Sequence, residues 1–290
     1  MAARVLDGRE LAATIRADLA QRVAELAARG VQPCLATVLV GQDPASLSYV
    51  SAKQRTCREL GMKALDFRME SDTHQDALDD LIDALNDDET VHGILVQLPL
   101  PDHLNADRIL ERIDPGKDVD GFHPVNLGNL LAGRPGFVPC TPAGILEMLR
   151  RAEVPLQGAQ VVIVGRSTIV GRPLAALLLR KGIDATVTVC HSRTKNLGRQ
   201  TRQADVLVAA VGRPGLITAD MVRDGVVVVD VGVNRVGTTK SGKAQLEGDV
   251  DFQAVSQKAS VITPVPGGVG PMTITMLMAN TIQAATNLTA

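Results

Sequence analysis

The chain has 290 residues, 45% of them hydrophobic and 21% charged, and this length favours two domains over a single compact core. Its 30 Lys and Arg against 32 Asp and Glu give a net charge of -2 without a long run of one sign, which argues against a nucleic-acid partner. The apolar runs are too short to span a bilayer, the N-terminus lacks the apolar stretch of a signal peptide, and four dispersed cysteines form no zinc or disulfide pattern. We therefore expect a cytoplasmic protein without metal, membrane or nucleic-acid contacts.

The first half of the sequence alternates between helix and strand patterns. In chain order the apolar spacing predicts a helix over 9–29, a strand over 34–40, a helix over 45–60, a strand over 63–69, a helix over 74–86 and a strand over 93–101. Such alternation favours a parallel sheet covered by helices. The fold class is therefore α/β.

A second half begins after a segment rich in Gly, Pro and Asp over 114–139, which we predict to be a linker or functional loop. Thr141 and Pro142 open the next helix, because Thr suits an N-cap and Pro suits the first helical position. Buried parallel strands are then predicted over 160–165, 185–190, 205–212, 226–232 and 261–263, and a helix over 272–285. This half has the pattern of a doubly wound, Rossmann-like nucleotide fold.

The stretch GRSTIVGRP, residues 165–173, stands where a strand turns into a helix. Free backbone N–H groups and the helix dipole attract pyrophosphate at such a turn. Gly165 allows the tight turn and Gly171 allows the helix to approach the strand, but Ser167 replaces the second glycine of GxGxxG. Taken alone, the pattern fits a purely structural turn equally well.

The end of the next strand favours NADP over NAD as the cofactor. NAD-binding proteins place a carboxylate there for the ribose hydroxyl, whereas this strand ends in Cys190-His-Ser-Arg193. Ser192, Arg193 and Arg166 offer the hydroxyl and guanidinium donors that a 2′-phosphate requires. The alternative is that these residues are solvated loop residues.

Tyr49 and Lys53, four residues apart on a predicted helix, share one helical face. In isolation this YxxxK pair fits a packed tyrosine and a solvated lysine. It is also the signature of short-chain dehydrogenases, in which the glycine-rich turn comes near the N-terminus and before the YxxxK helix. Here Gly165 follows the pair by more than a hundred residues, which argues against that class.

Five separated motifs occur in one order over nearly the whole chain: Tyr49-Val-Ser-Ala-Lys53, Val96-Gln-Leu-Pro-Leu-Pro101, Lys117-Asp-Val-Asp-Gly-Phe122, Gly165-Arg-Ser-Thr-Ile-Val-Gly171 and Pro264-Val-Pro-Gly-Gly-Val-Gly-Pro-Met-Thr273. Together they resemble the bifunctional methylenetetrahydrofolate dehydrogenase/cyclohydrolase family. The resemblance implies NADP-dependent oxidation of 5,10-methylenetetrahydrofolate to the methenyl form and its hydrolysis to 10-formyltetrahydrofolate. It also implies a homodimer.

The resemblance gives a domain plan and an active site in the cleft between two domains. We expect a catalytic folate-binding domain over 1–139, an NADP-binding Rossmann-like domain over 140–270, and a C-terminal helix over 271–290 that returns to the catalytic domain.

The chemistry of hydrolysis explains the choice of catalytic residues. Water loses a proton as it attacks the methenyl carbon and a ring nitrogen gains one, so an amine that changes protonation state near neutral pH is suitable, and we assign this role to Lys53. The resemblance implies that Gln97 holds that amine by a hydrogen bond without adding charge. It also implies that Asp120 recognises the pterin, while Tyr49 offers its ring and hydroxyl.

The acidic segment around Asp120 also has features of a calcium loop and of an acidic turn that caps a helix. A calcium loop fails, because the alignment that places Asp118, Asp120 and Gly121 correctly puts Leu127 where a glutamate is required. The helix-capping turn stays open.

By resemblance and by the lack of Cβ atoms in the glycine-rich turn, the expected ligand contacts fall into two sets. The substrate set is Tyr49, Val96, Leu98, Pro266, Gly267, Gly268 and Thr273, and the cofactor set is Gly165, Arg166, Ser167, Ser192 and Val233. Two alternatives stay open. One is a relative with dehydrogenase activity alone, and the other is a catalytically silent nucleotide-binding module.

Overall fold

The computed structural model describes residues 3–238 and 244–289. Its strands are β1 (Arg4–Val5), β2 (Cys34–Val40), β3 (Lys63–Met69), β4 (Gly93–Val96), β5 (Gln160–Val164), β6 (Thr186–Cys190), β7 (Val206–Ala209), β8 (Val227–Asp230), β9 (Asn234–Thr238), β10 (Ala244–Glu247) and β11 (Val261–Ile262). Its helices are α1 (Gly8–Ala28), α2 (Pro44–Glu59), α3 (Gln75–Asp87), α4 (Ala106–Arg112), α5 (Pro124–Ala132), α6 (Cys140–Arg151), α7 (Gly171–Leu178), α8 (Leu197–Thr201), α9 (Phe252–Val255) and α10 (Val269–Leu288).

The chain divides into two compact units, which confirms the predicted two-domain α/β organisation. The six-stranded unit comprises Met1–Ala12 and Thr141–Thr273, and the three-stranded unit comprises Ala13–Cys140 and Ile274–Ala290. Among the described helices, none combines the length and apolar composition needed to cross a membrane.

The first residues differ from the predicted domain plan, which placed everything from residue 1 to 139 in the catalytic domain. Strand β1 instead pairs in parallel with β11, with Arg4 opposite Val261 and Val5 opposite Ile262. The backbone N–H of Leu6 continues this pairing by donating to the Ile262 carbonyl at 2.8 Å. These backbone hydrogen bonds attach the N-terminal segment to the six-stranded unit.

The three-stranded unit has a parallel sheet in the order β3-β2-β4. Strand β2 lies in the centre and is buried along its whole length, which explains its continuous apolar sequence. Helix α3 covers the sheet with Leu78, Ile82 and Leu85, which join the apolar core of this unit. Because β4 ends at Val96 beside Val38 of β2, Gln97 emerges at the carboxyl edge of the sheet.

The six-stranded unit has a sheet in the order β1-β11-β8-β7-β5-β6, and its neighbouring strands run parallel. The chain moves from β5 outward to β6 and then returns to β7 on the other side of β5. This reversal of strand order is the switch point at which doubly wound sheets bind ligands. The predicted Rossmann-like fold is therefore confirmed, with an additional antiparallel pair formed by β9 and β10.

Two further predictions need correction. The supposed linker over 114–139 contains helix α5, which the His123 side chain and Pro124 begin and Gly133, in the left-handed conformation, ends. The strand predicted over 93–101 stops at Val96. Its later prolines lack the N–H that a ladder requires, and the Leu98–Pro99 peptide is cis.

Candidate active site

Helix α2 presents the Tyr49 and Lys53 pair. Its first turn is capped by the Asp43 carboxylate, which accepts the Ser46 N–H at 2.8 Å, and Pro44 occupies the first helical position. Lys53 is buried with 9% exposure, whereas Tyr49, one turn earlier, keeps 41% of its surface exposed. Partial burial raises the pKa of the Tyr49 phenol. The two residues therefore differ in accessibility although they lie on one helical face.

Gln97 is hydrogen-bonded to the buried amine of Lys53. The Lys53 Nζ donates to Gln97 Oε1 at 3.0 Å, which is the predicted hydrogen bond. The other end of the amide is occupied, because Gln97 Nε2 donates to the Leu98 carbonyl at 2.7 Å. The Gln97 backbone N–H is bound to the Val38 carbonyl at 2.9 Å. Gln97 is thus fixed with its oxygen toward the lysine, and the partner of the ammonium is neutral.

The neighbours of Gln97 differ in accessibility. Val96 is buried with 4% exposure and belongs to the apolar core, whereas Leu98 is half-buried. The side chain of Val96 therefore packs inside the protein, and Leu98 has more accessible surface for a ligand.

Asp120 is the third polar residue of the candidate site in the three-stranded unit, with Lys53 and Gln97. Burial raises the pKa of its carboxyl group, the nearby Lys53 ammonium opposes that rise, and the Asp118 carboxylate adds to it. Burial, with the nearby Asp120 carboxylate, holds the pKa of the Cys140 thiol well above its usual range. The structure therefore brings Lys53, Gln97 and Asp120 into one electrostatic environment.

Lys117 and Asp118 hold the backbone segment that carries Asp120, a role that the sequence analysis did not assign to them. The buried Lys117 Nζ donates to the carbonyls of Leu85, Asn86 and Asp88 at 3.1, 2.6 and 2.8 Å, and so satisfies the C-terminal end of α3. Burial lowers the pKa of this lysine, and Asp114 opposes the shift.

Asp118 organises the turn that follows Asp120. Its carboxylate accepts the backbone N–H groups of Gly121, Phe122 and His123 at 3.1, 3.2 and 2.8 Å, and the Asn126 side chain at 2.9 Å. Gly121 adopts a φ of +78°, which favours glycine. The sequence signal for this turn is the cluster of charged residues around Gly121. If such charges are buried in a turn, each needs a hydrogen-bond or ionic partner.

The glycine-rich turn after β5 is built from close backbone contacts. A Cβ at Gly165, where φ is +132°, would overlap the Ala210 carbonyl oxygen, and a Cβ at Gly171 would overlap the Gly165 carbonyl oxygen. The Ser167 hydroxyl accepts the Val170 N–H at 3.1 Å. Ser167 therefore supports the first turn of α7 in the place where GxGxxG has glycine.

Donors for a phosphate lie beyond two neighbouring strand ends. Val164 of β5 pairs with Cys190 of β6, so Arg166 and Ser192 each stand two residues beyond a paired position. Arg166, Ser192 and Arg193 are exposed. The glycine turn, these donors and the absence of a carboxylate at the end of β6 fit a 2′-phosphorylated dinucleotide better than an unphosphorylated one.

Two buried carboxylates hold the loops beyond the neighbouring strands β7 and β8. Asp230 accepts the backbone N–H groups of Gly232, Asp249 and Val250 at 3.0, 2.9 and 2.9 Å. Asp249 accepts those of Val211, Gly212 and Arg213 at 2.6, 3.0 and 2.8 Å. Val233, the predicted cofactor contact, follows this frame directly and is 45% exposed.

The turn after β11 contains the predicted substrate residues Pro266, Gly267 and Gly268. The Val265–Pro266 peptide is cis, and Gly267 has a φ of +111°. A Cβ at Gly268 would lie 2.6 Å from the Pro264 carbonyl oxygen. In the first turns of α10, the Thr273 hydroxyl lies 3.0 Å from that of Thr141. This segment is therefore a tight turn that leads into a helix, as the sequence predicts.

Within residues 3–238 and 244–289, no group of three or more His, Cys, Asp or Glu side chains is arranged to hold a metal ion.

Comparisons with known proteins agree over the whole chain. Residues 6–120 match the family model described as tetrahydrofolate dehydrogenase/cyclohydrolase, catalytic domain, and residues 139–289 match that of the NAD(P)-binding domain. A bifunctional protein FolD from Syntrophus aciditrophicus is 57% identical over 287 residues, 98% of each chain.

Solved structures agree with this result. The bifunctional FolD enzyme of Campylobacter jejuni is 51% identical with a TM-score of 0.94, covering 99% of each chain. The Trypanosoma brucei methylenetetrahydrofolate dehydrogenase-cyclohydrolase, solved with NADP and an inhibitor, is 38% identical with a TM-score of 0.94, covering 99% of this chain and 98% of the other.

Proposed function

Because this chain belongs to the tetrahydrofolate dehydrogenase/cyclohydrolase family, we propose that it catalyses two successive reactions. It oxidises 5,10-methylenetetrahydrofolate to 5,10-methenyltetrahydrofolate with NADP, and it hydrolyses the methenyl product to 10-formyltetrahydrofolate. The observation that carries the proposal is the buried Lys53 amine bound to the neutral Gln97 oxygen in the environment of Asp120.

For the first reaction, bound NADP supplies a nicotinamide that accepts the hydride from the methylene carbon. The chain contributes binding and orientation. The pyrophosphate would be held at the turn of Gly165, Arg166 and Ser167, which stands at the N-terminal end of α7, where the helix dipole favours an anion. Arg166 and Ser192 bind the 2′-phosphate, and Val233 contacts the cofactor from the loop after β8.

For the second reaction, Lys53 exchanges protons with the reacting groups. Water forms a bond to the methenyl carbon and loses one proton. The bond from that carbon to one ring nitrogen then breaks as the nitrogen gains a proton and the hydroxyl oxygen loses its remaining proton to become the formyl carbonyl, so that one proton is released overall. The neutral Gln97 oxygen orients the amine and itself adds no negative charge that would favour the protonated form. In the proposed mechanism Lys53 accepts a proton in one step and returns it in the other.

Substrate binding is assigned to Asp120 and to the predicted substrate set. Asp120 accepts hydrogen bonds from the amino-pyrimidine edge of the pterin, and the accessible Tyr49 ring stacks on the aromatic part of the folate. The remaining contacts come from Val96, Leu98, Pro266, Gly267, Gly268 and Thr273. Val96, whose side chain is buried, contributes through its backbone. The location of the active site between the two domains stays a prediction.

We further infer that the protein acts in the cytoplasm as a homodimer. The composition and the four buried free cysteines support a reducing compartment, and the family supports the dimer.

The test is to supply methylenetetrahydrofolate and NADP to the purified protein and to follow the methenyl and formyl forms separately. The bifunctional enzyme produces the formyl form through the methenyl form. If the methenyl form accumulates and then decays only at its uncatalysed rate, the protein is a dehydrogenase alone. Formation of neither product would leave a nucleotide-binding module.

A further inference from the structure

We propose that Asn280 of α10 is a positioning residue for Asp120, which it holds through the peptide bond that precedes that aspartate. The proposal rests on the role of Asp120 in pterin recognition given above. Asn280 does not belong to the five motifs, and it lies 161 residues from Val119 in sequence.

The side-chain amide of Asn280 reaches two backbone carbonyls. Its Nδ2 donates to the Val119 carbonyl at 2.9 Å and to the Val138 carbonyl at 3.1 Å. The Val119 carbonyl and the Asp120 N–H belong to one planar peptide group. A hydrogen bond that fixes this carbonyl therefore fixes the plane from which the Asp120 side chain projects.

The second carbonyl secures the other side of Asp120. Gly121, the next residue, packs so closely on the Val138–Pro139 peptide that a Cβ would lie 2.7 Å from the Pro139 nitrogen. Asn280 binds the carbonyl of that same peptide. The carbonyl that precedes Asp120 and the peptide that packs against Gly121 therefore share one amide donor.

Asparagine has the chemistry that this position requires. One NH₂ group carries two hydrogens and can serve two carbonyl acceptors, whereas a carboxylate has only acceptors and would face two carbonyl oxygens. Cys140 adds a weaker support, because its thiol donates to the Val119 carbonyl at 3.3 Å and lies 3.7 Å from Asn280 Nδ2. Replacement of Asn280 by alanine leaves the Val138 carbonyl without this donor and leaves the Val119 carbonyl to the thiol.

The experiment measures steady-state kinetics of the dehydrogenase with Asn280→Ala and Asn280→Asp. We expect the KM for methylenetetrahydrofolate to rise about tenfold in Asn280→Ala and further in Asn280→Asp, because a misplaced Asp120 binds the pterin poorly. The KM for NADP is expected to stay at the wild-type value. The matched control is Asn287→Ala on the same helix, since Asn287 is exposed and accepts a hydrogen bond from Gln283; its kinetics should equal those of the wild type.

A double-mutant cycle with Asp120→Asn distinguishes positioning from general stabilisation. If Asn280 acts through Asp120, adding Asn280→Ala to Asp120→Asn raises the folate KM no further. Independent, multiplying effects of the two substitutions would overturn the proposal, and so would an equal rise of both KM values in Asn280→Ala.

Three further results keep the outcomes separate. If Asn280→Ala fails to fold, Asn280→Ser retains one donor and should give a smaller rise in the folate KM; a wild-type value would overturn the proposal. An active enzyme in which Asp120→Asn leaves the folate KM unchanged would overturn the assignment of Asp120 and with it this inference. Absence of both activities in the wild type would contradict the proposed function itself.

Discussion

The proposed ligand-binding regions of the two units differ in whether side chains or backbone groups form them. In the three-stranded unit the proposed reactive groups are side chains, namely Lys53, Gln97 and Asp120, and each interacts with other polar groups. In the six-stranded unit the turn after β5 is a backbone surface in which Gly165 and Gly171 leave no room for a Cβ. The first region can be altered by changing one functional group, whereas the second is altered by adding one carbon atom.

This difference follows from what each region is proposed to do. Hydrolysis needs a group that moves a proton, and only a side chain supplies one. Pyrophosphate binding needs several N–H donors at close range, which a glycine-rich turn and a helix N-terminus supply without side chains. Substitutions in the two units should therefore affect different kinetic quantities.

The largest expected effect is that of Lys53→Met on hydrolysis of the methenyl form. Methionine keeps an apolar stem but removes the amine that binds Gln97, so hydrolysis should fall by about a thousandfold or more. Loss of the methenyl absorbance, corrected for uncatalysed decay, measures the rate. Lys63→Met on the exposed side of β3 is the control and should retain wild-type hydrolysis. Hydrolysis at the wild-type rate in Lys53→Met would contradict the assignment.

The next largest effect is expected for Gly171→Ala in the six-stranded unit. The new methyl group overlaps the Gly165 carbonyl oxygen, so the turn must shift, which costs about 1–3 kcal/mol and lowers NADP affinity by up to about a hundredfold. Calorimetric titration of NADP and thermal unfolding measure the two consequences.

Gly128→Ala is the matched control, because Gly128 also lies in a helix but has open space around its Cβ position. There alanine should stabilise the protein by about 1 kcal/mol through its higher helix propensity. Equal behaviour of the two variants would show that the close contact at Gly171 is unimportant.

A smaller effect, confined to one cofactor, is expected for Arg166→Ala and Ser192→Ala. Removal of a charge-assisted bond to the 2′-phosphate should lower kcat/KM for NADP by about twentyfold in Arg166→Ala, and by less in Ser192→Ala. The values for NAD should stay unchanged, since NAD lacks that phosphate. Arg150→Ala, at an exposed position near the end of α6, serves as the control. Equal wild-type kinetics with NAD and NADP would remove the proposed preference.

The sequence predicts the regular elements well where one periodicity dominates. Helices such as α1 and α3 and buried strands such as β2 and β5 carry long, uniform apolar patterns, and the structure has them within a few residues. Helix α5 was missed, because Gly128 and the flanking prolines and glycines resemble a loop until neighbouring residues bury its Leu130. Strand β1 was missed because two residues form no pattern.

The residues of the candidate site also differ in how far the sequence predicts them. Lys53, Gln97 and Asp120 stand in motifs with a recognisable chemistry, so the sequence can nominate them. Asp249 and Asn280 stand outside the motifs, and Lys117 stands in one without an assigned role. A charged or amide side chain looks solvated in the sequence until the fold places carbonyls or N–H groups around it. The partners described above for these three residues lie 29 to 32, 36 to 38 and 140 to 161 residues away in sequence.

The last expected effect is on the pH dependence of stability, to which titratable groups of the two units make opposite contributions. In the six-stranded unit, burial raises the pKa of Asp230 from 3.8 to about 6, so the folded state holds a proton that the unfolded state releases. This contribution is fully present below pH 3.8 and is lost as the pH rises through about 6, with a size of ~3 kcal/mol.

In the three-stranded unit, burial lowers the pKa of His92, whose neutral Nδ1 accepts the Cys34 N–H at 3.1 Å. Its contribution is present above the ordinary histidine pKa of about 6.5 and is lost as the pH falls below it, because the unfolded state then binds the proton more readily. Below about pH 6.5, where both groups titrate, the two slopes have opposite signs and partly cancel. Urea unfolding across this range should therefore show a steeper acid loss of stability in Asp230→Asn and a shallower one in His92→Asn. A shift of both variants in the same direction would mean that the carboxyl and imidazole groups do not titrate as their burial requires.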